Sequence, residues 1–130
     1  IDSNQLIGEI PVSLGKLTKM NDLDLNNNGF KDDISNVFSI FSSMSELEQL
    51  SIHDNKFYGE IPDLIGAFSL LNKFKSENNS LVGQVPGSIC SLNVDWHDDD
   101  FFSIYNNSLC PPYPQCVRDY MSAQNISDCK

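Results

Sequence analysis

Apolar residues recur in one fixed figure along this chain, and the clearest copy is LEQLSIHDNKFYGEIP at residues 47–62. Leu47, Leu50, Ile52, Phe57 and Ile61 carry the figure, with Asn55 between its halves. Leu50-Ser51-Ile52 predicts a very short strand with one buried face, because side chains alternate along a strand. Asn55 has a purpose inside a tight coil, where its amide can satisfy turn backbone groups that would otherwise be buried unpaired. One such unit cannot bury its own apolar face, so it must repeat. The asparagine returns at Asn4, Asn28, Asn55, Asn79 and Asn107, in steps of 24, 27, 24 and 28 residues. Met20, Leu23, Leu25 and Phe30 surround the second copy, Leu71, Phe74, Ser76 and Leu81 the fourth, and Phe102, Ile104 and Leu109 the last. A Gly-x-Ile/Val-Pro half recurs at Gly8–Pro11, Gly59–Pro62 and Gly83–Pro86, and decays to Asp32-Asp33-Ile34-Ser35 in the second copy.

Between the strands the chain must cross back. Val12, Leu14, Leu17 and Met20 predict a short helical or 3₁₀ turn, and residues 88–92 another. Residues 30–46 form the longest crossing. Val37, Phe38, Ile40, Phe41, Met44 and Leu47 recur near helical spacing there, which predicts two or three helical turns packed inward. Ser76 stands where the other copies have an aliphatic residue, so the fourth unit is expected to be slightly underpacked. Regularity fails after Val94, where Trp96 is expected to close the apolar core near the end of the stack. Cys110–Cys116, with three prolines, suits neither a helix nor a central strand, and residues 117–124 predict one or two helical turns.

Composition narrows the function. The chain has 130 residues, enough for one domain, and a formal net charge of −10. That charge argues against nucleic acid, whose phosphates need clustered Lys and Arg, and against anionic membrane surfaces. No apolar run approaches membrane-spanning length. The chain begins inside a repeat unit, as expected of a portion of something longer. All four cysteines, Cys90, Cys110, Cys116 and Cys129, fall in the last 41 residues, which predicts two disulfides and an oxidising compartment. A zinc site is the alternative, but it lacks a C-x-x-C pair and metal-spaced histidines. Cys90 lies 11 residues after its asparagine and Cys116 lies 9 after the next, so stacking favours Cys90–Cys116 with Cys110–Cys129. The two other connectivities stay open at this point. Residues 1–93 read as repeats and 94–130 as the last repeat with a disulfide-stabilised cap.

Five in-phase copies resemble the leucine-rich repeat proteins, in the subtype first known from plant receptors. The pattern L-x-x-L-x-L-x-x-N-x-L-x-G-x-I-P is best matched by residues 47–62, and the resemblance covers about residues 1–114. The tail, CPPYPQCVRDY with a final cysteine, is similar to C-terminal caps of microbial secreted repeat proteins. The resemblance implies an α/β solenoid, a right-handed superhelix with a concave parallel β-sheet and short helical or 3₁₀ crossings on the convex side. A second short strand near the Ile-Pro segment is usual in the subtype. It is expected to be missing at residues 31–46, where the Gly and Pro are lost.

Such proteins bind through the exposed positions of the concave strands. Counting back from each asparagine, one row holds Asp2, Asn26, His53, Glu77 and Tyr105, and a second holds Asp24, Ser51, Lys75 and Ser103. Asp22, Gln49, Lys73 and Phe101 flank them. This mixed, partly aromatic face suits a protein, peptide or glycan ligand, or else is an ordinary solvated sheet face. His53, Glu77 and Ser51 offer a superficial base, carboxylate and hydroxyl, but a shallow face has no oxyanion donors and does not exclude water, so no enzyme is expected. Asp95, Asp98, Asp99 and Asp100 lack the spacing and glycine of a calcium loop, so neither metal nor cofactor is expected. Asn78, Asn106 and Asn125 head N-x-S sequons, the first two exposed at the turn. The resulting expectation is an extracellular or cell-surface binding module. A structural or adhesive component that self-associates is the alternative, and an ice- or mineral-binding face is disfavoured by the irregular rows.

Overall fold

The computed structural model describes residues 3–121 and 123–129. The Asp2 place in the first row therefore lies outside the described residues. Strands β1 (Ile7–Gly8), β2 (Asp22–Asp24), β3 (Gly29–Phe30), β4 (Gln49–Ser51), β5 (Tyr58–Glu60), β6 (Lys73–Lys75), β7 (Ser80–Gln84), β8 (Phe102–Ser103) and β9 (Ser108–Cys110) are all parallel to their partners. Sheet order β2-β4-β6-β8 follows the order of the coils and forms the concave face. A helix, α1 (Ile34–Phe41), and 3₁₀ turns at Val12–Lys16, Asp63–Ala67 and Gly87–Ser91 return the chain along the other side. The architecture is the repeat solenoid that the in-phase asparagines predict.

Asparagine rungs join the coils. Asn55 Nδ2 donates to the carbonyls of Leu25 (2.9 Å), Ile52 (3.2 Å) and His53 (3.2 Å), and its Oδ1 accepts from Phe30 N (3.1 Å). Asn79 repeats this against Ile52 O and Phe57 N, and Asn107 against Ser76 O and Leu81 N. Each rung thus pairs its own turn and also clips the coil before it, so buried backbone groups that no ladder reaches are satisfied.

The long crossing forms as the apolar spacing predicts. Asp33 caps α1, its carboxylate accepting from Ser35 N, and Ile34, Val37, Phe38, Ile40 and Phe41 are buried. Phe38 lies edge-on to Phe68 at 5.4 Å and tilted against Phe74 at 6.0 Å, which links this helix to the next two coils. The outer sheet breaks at the same place. Strand β3 precedes residues 31–46 and pairs only with β1, while β5-β7-β9 form a separate sheet; residues 31–46 themselves carry no strand, as the lost Gly and Pro lead one to expect. A single bridge, Asp33 to Tyr58, spans the gap. The cause is Asp32, which stands where other units have a glycine with positive φ. Its buried carboxylate accepts from Ile10 N (3.1 Å) and Asn36 Nδ2 (3.1 Å), turning the chain into the helix. Gly59 is required opposite: a Cβ there would stand 2.7 Å from Asp33 Oδ1, and φ is +88°.

Ser76 is fully buried in the row of Leu25, Ile52 and Ile104, and among the described residues its hydroxyl has no hydrogen-bond partner. Ser76→Val removes that unpaired hydroxyl and adds buried methyls. It is expected to raise stability by about 1–2 kcal/mol, read as a higher urea midpoint at unchanged slope.

Candidate ligand-binding face

Strand register builds the candidate site. Asp22 aligns with Gln49 and Lys73, and Asp24 with Ser51, Lys75 and Ser103. Phe74 N bonds Phe101 O, which sets Phe101 beside Lys73. The third row is tied by turn hydrogen bonds running from Asn27 N to His53 O, Asp54 N to Glu77 O and Asn78 N to Tyr105 O. The described members of all three rows therefore come together as counted.

Their exposure is uneven. Ser51, Glu77 and Ser103 are buried, although the row count places them among exposed positions. Asn26, His53, Gln49, Lys73, Lys75 and Asp24 are half-buried, while Tyr105 and Phe101 are exposed. Glu77 lies at the centre of a polar cluster. It accepts from the Ser103 hydroxyl at Oε2, and its Oε1 stands 3.5 Å from Lys75 Nζ and 3.9 Å from His53 Nδ1. His53 Nδ1 faces Asp54 Oδ2 at 2.7 Å, and its Nε2 lies 2.8 Å from Asn26 Nδ2. Asn26 Oδ1 is buried and has no partner among the described residues. These groups are committed to one another. Among the described residues, no hydrogen bond joins Ser51 to His53.

Asp54 was not singled out by the sequence, yet it starts a second side-chain ladder. Asn78 Nδ2 donates to Asp54 Oδ1 (2.8 Å), and Asn106 Nδ2 donates to Asn78 Oδ1 (2.8 Å). Asn27, Asp54, Asn78 and Asn106 all have positive φ and precede a rung, so the same counting would have found the column. Asn78 is consequently half-buried and bonded at both ends, against the expectation of an exposed turn, whereas Asn106 and Asn125 are exposed. Asn125 Oδ1 accepts from both N and Oγ of Ser127. Produced in a glycosylating host, the chain is expected to carry glycans at Asn125 and Asn106 and to leave Asn78 bare. Site-resolved mass spectrometry after enzymatic deglycosylation checks this, and equal occupancy at Asn78 would refute it.

Two disulfides, Cys90–Cys116 and Cys110–Cys129, hold the cap with Cα separations of 5.6 Å each. Gln124 is the feature that counting missed. Its Nε2 donates to Ile104 O (2.9 Å) and its Oε1 accepts from Leu109 N (3.1 Å), the two bonds an asparagine rung would make to the coil before it. Trp96 packs edge-on to Phe102 at 4.8 Å, half-buried at the end of the stack. Tyr113 donates its hydroxyl to Leu109 O (2.9 Å), and partial burial pushes that phenol above its ordinary pKa. Asp95 and Asp98 accept from His97 N and Asp100 N within the acidic loop. Among the described residues, no group of three or more His, Cys, Asp or Glu is placed to hold a metal, and no helix is long and apolar enough to cross a membrane.

Comparison with known proteins agrees with this geometry. The Leucine Rich Repeat family profile matches residues 46–68, the template unit itself. The chain is a leucine-rich repeat protein. Receptor-like protein 7 of Arabidopsis thaliana is 37% identical over 122 residues, 94% of this chain and 12% of its own length. That span reaches into the cap. Among solved structures, the BIR3–SERK2 complex from Arabidopsis thaliana superposes with TM-score 0.82 at 29% identity, covering 95% of this chain and 65% of that one. The plant peptide hormone receptor RGFR1 in complex with RGF2 gives TM-score 0.75 at 26% identity, covering 96% and 19%. The chain spans 8–12% of the length of the curated relatives it matches. With receptor ectodomain neighbours and two disulfides, this leucine-rich repeat module belongs outside the cell or on its surface.

Proposed function

We propose that this repeat module binds an extracellular peptide or protein segment across the concave β2-β4-β6-β8 sheet, and that it performs no chemistry itself. One observation carries the reading: three rows of side chains, in register over four parallel strands, bring Asp24, Asn26, Gln49, Lys73, Lys75 and Tyr105 onto a single face. The buried cluster beneath, with Glu77 tying Ser103, Lys75 and His53, holds that face in shape before a ligand arrives, which lowers the ordering cost of binding. A neighbour whose structure holds a peptide hormone supports a peptide over a glycan. Self-association of an adhesive module is the competing reading, and light scattering separates the two, since a binding module is monomeric in dilute solution.

The test is a capture experiment with a displayed random-peptide library, in which selected peptides are re-measured against Lys73→Glu and Tyr105→Ala. Both variants are expected to weaken binding about tenfold or more. A control on the opposite side, Val12→Ser, is expected to leave it unchanged. Equal loss in the control, or no loss in the concave variants, overturns the assignment of the face.

A further inference from the structure

Charge on the concave face is ordered along the stack. Asp22 and Asp24 lie on β2, and Lys73 and Lys75 lie on β6, two strands away in the same rows. The aromatic pair Phe101 and Tyr105 follows on the next coil, both exposed. Internal pairing sharpens this order. Lys75 faces the Glu77 carboxylate at 3.5 Å, so its charge is largely answered within the protein. Lys73 sits in the outer row and has no ion-pair or hydrogen-bond partner among the described residues. Asp22 is exposed and likewise unpaired among them. Asp54 is engaged by His53 and Asn78 and does not blur the pattern. The charges left open to a ligand are therefore an anion on β2 and a cation on β6, with Phe101 directly beyond the cation.

Resting on the concave peptide-binding reading above, we propose that the face selects a segment by the order of its side chains: basic, then acidic, then aromatic along the stack. The basic group meets Asp22, the acidic group meets Lys73, and the ring stacks against Phe101 and Tyr105. Strands lie about 4.8 Å apart, so Asp22 and Lys73 stand about 10 Å apart, the span of about three residues of extended chain. The ring falls one strand further, one or two residues on. Because the ring marks one end, reversing the direction of the peptide does not rescue a wrong order: the acidic residue must lie between the basic residue and the ring. Ion pairs on this face discriminate by attraction in the right order and by like-charge repulsion in the wrong one.

A displayed library of random nonapeptides panned on the intact chain and on the double variant Asp22→Lys/Lys73→Glu tests this. The expected result is enrichment of basic–acidic–aromatic peptides on the chain and of acidic–basic–aromatic peptides on the double variant. Exchanging the two charges within a selected peptide, at constant composition, is expected to cost about tenfold in affinity on the unmodified chain. That second measurement keeps the test decisive where the double variant fails to fold. Enriched peptides without this order, or affinity indifferent to the exchange, overturn the inference and leave peptide binding standing. No enrichment of any peptide on the unmodified chain overturns both.

Discussion

Asn55→Ala is expected to cost about 2–4 kcal/mol of stability, far more than its size suggests. Of the groups the side chain serves, most keep another partner. Leu25 O still receives Asn28 Nδ2, Ile52 O still receives Asn79 Nδ2, and His53 O still receives Asn27 N. Phe30 N has no such reserve, since Asn55 Oδ1 is the acceptor it uses, and it is left unpaired in a buried turn. Asn55→Asp is expected to be at least as damaging. It restores an acceptor for Phe30 N but sets a buried carboxylate against three carbonyl oxygens. Urea unfolding of both variants checks the ranking, and amide exchange at Phe30 locates the defect. A cost under about 1 kcal/mol for Asn55→Ala would show that water reaches the turn and that the rung is dispensable.

The rungs also explain which parts of the molecule could be read from residues alone. An asparagine whose backbone partners recur at a fixed offset leaves a visible trace at Asn28, Asn55, Asn79 and Asn107, and with it come strand register and sheet order. Helix α1 was legible because Val37, Phe38, Ile40 and Phe41 keep helical spacing, whereas its Asp33 cap emerged only with the structure. The break in the outer sheet was legible only in part. The lost glycine is visible at Asp32, but the carboxylate's bond to Ile10 N on the previous coil is a tertiary fact. Gln124 left no trace at all, because it stands 17 residues after Asn107, outside the 24–28-residue step, and its longer side chain makes up the offset.

The candidate face shows the same division. Its rows follow from counting, yet exposure along them does not. Glu77 carries a charge and occupies a nominally outward position, but the Ser103 hydroxyl and Lys75 hold it beneath the surface, at 4% exposure. Pattern assigns direction, whereas neighbouring side-chain length decides whether a direction reaches solvent. In the proposed reading, ligand specificity lies in the few charges left unpaired, and those emerge only when every internal partner has been placed.

Removing the cap bridges is expected to be the other large perturbation. Cys90–Cys116 closes a separation of 26 residues and Cys110–Cys129 one of 19. The loop-entropy relation gives about 3.5 and about 3 kcal/mol, nearly equal. The two should nonetheless behave differently. Cys110–Cys129 tethers the tail that carries Gln124, so Cys110→Ser/Cys129→Ser also endangers that residue's bonds to Leu109 N and Ile104 O and is expected to cost more than its loop length implies. Cys90–Cys116 ties the Gly87–Ser91 turn to the segment after Pro114 and leaves the tail that carries Gln124 to the other bridge. A double-mutant cycle separates the contributions. Gln124→Ala alone is expected to cost about 1–3 kcal/mol, since Leu109 is buried and its amide loses the acceptor. In the Cys90→Ser/Cys116→Ser background that cost should persist in full. In the Cys110→Ser/Cys129→Ser background it should nearly vanish, because the detached tail has already lost the two bonds. Equal, additive costs in both backgrounds would mean that the tail stays docked without its bridge, and that Gln124 rather than the disulfide is what seals the last coil.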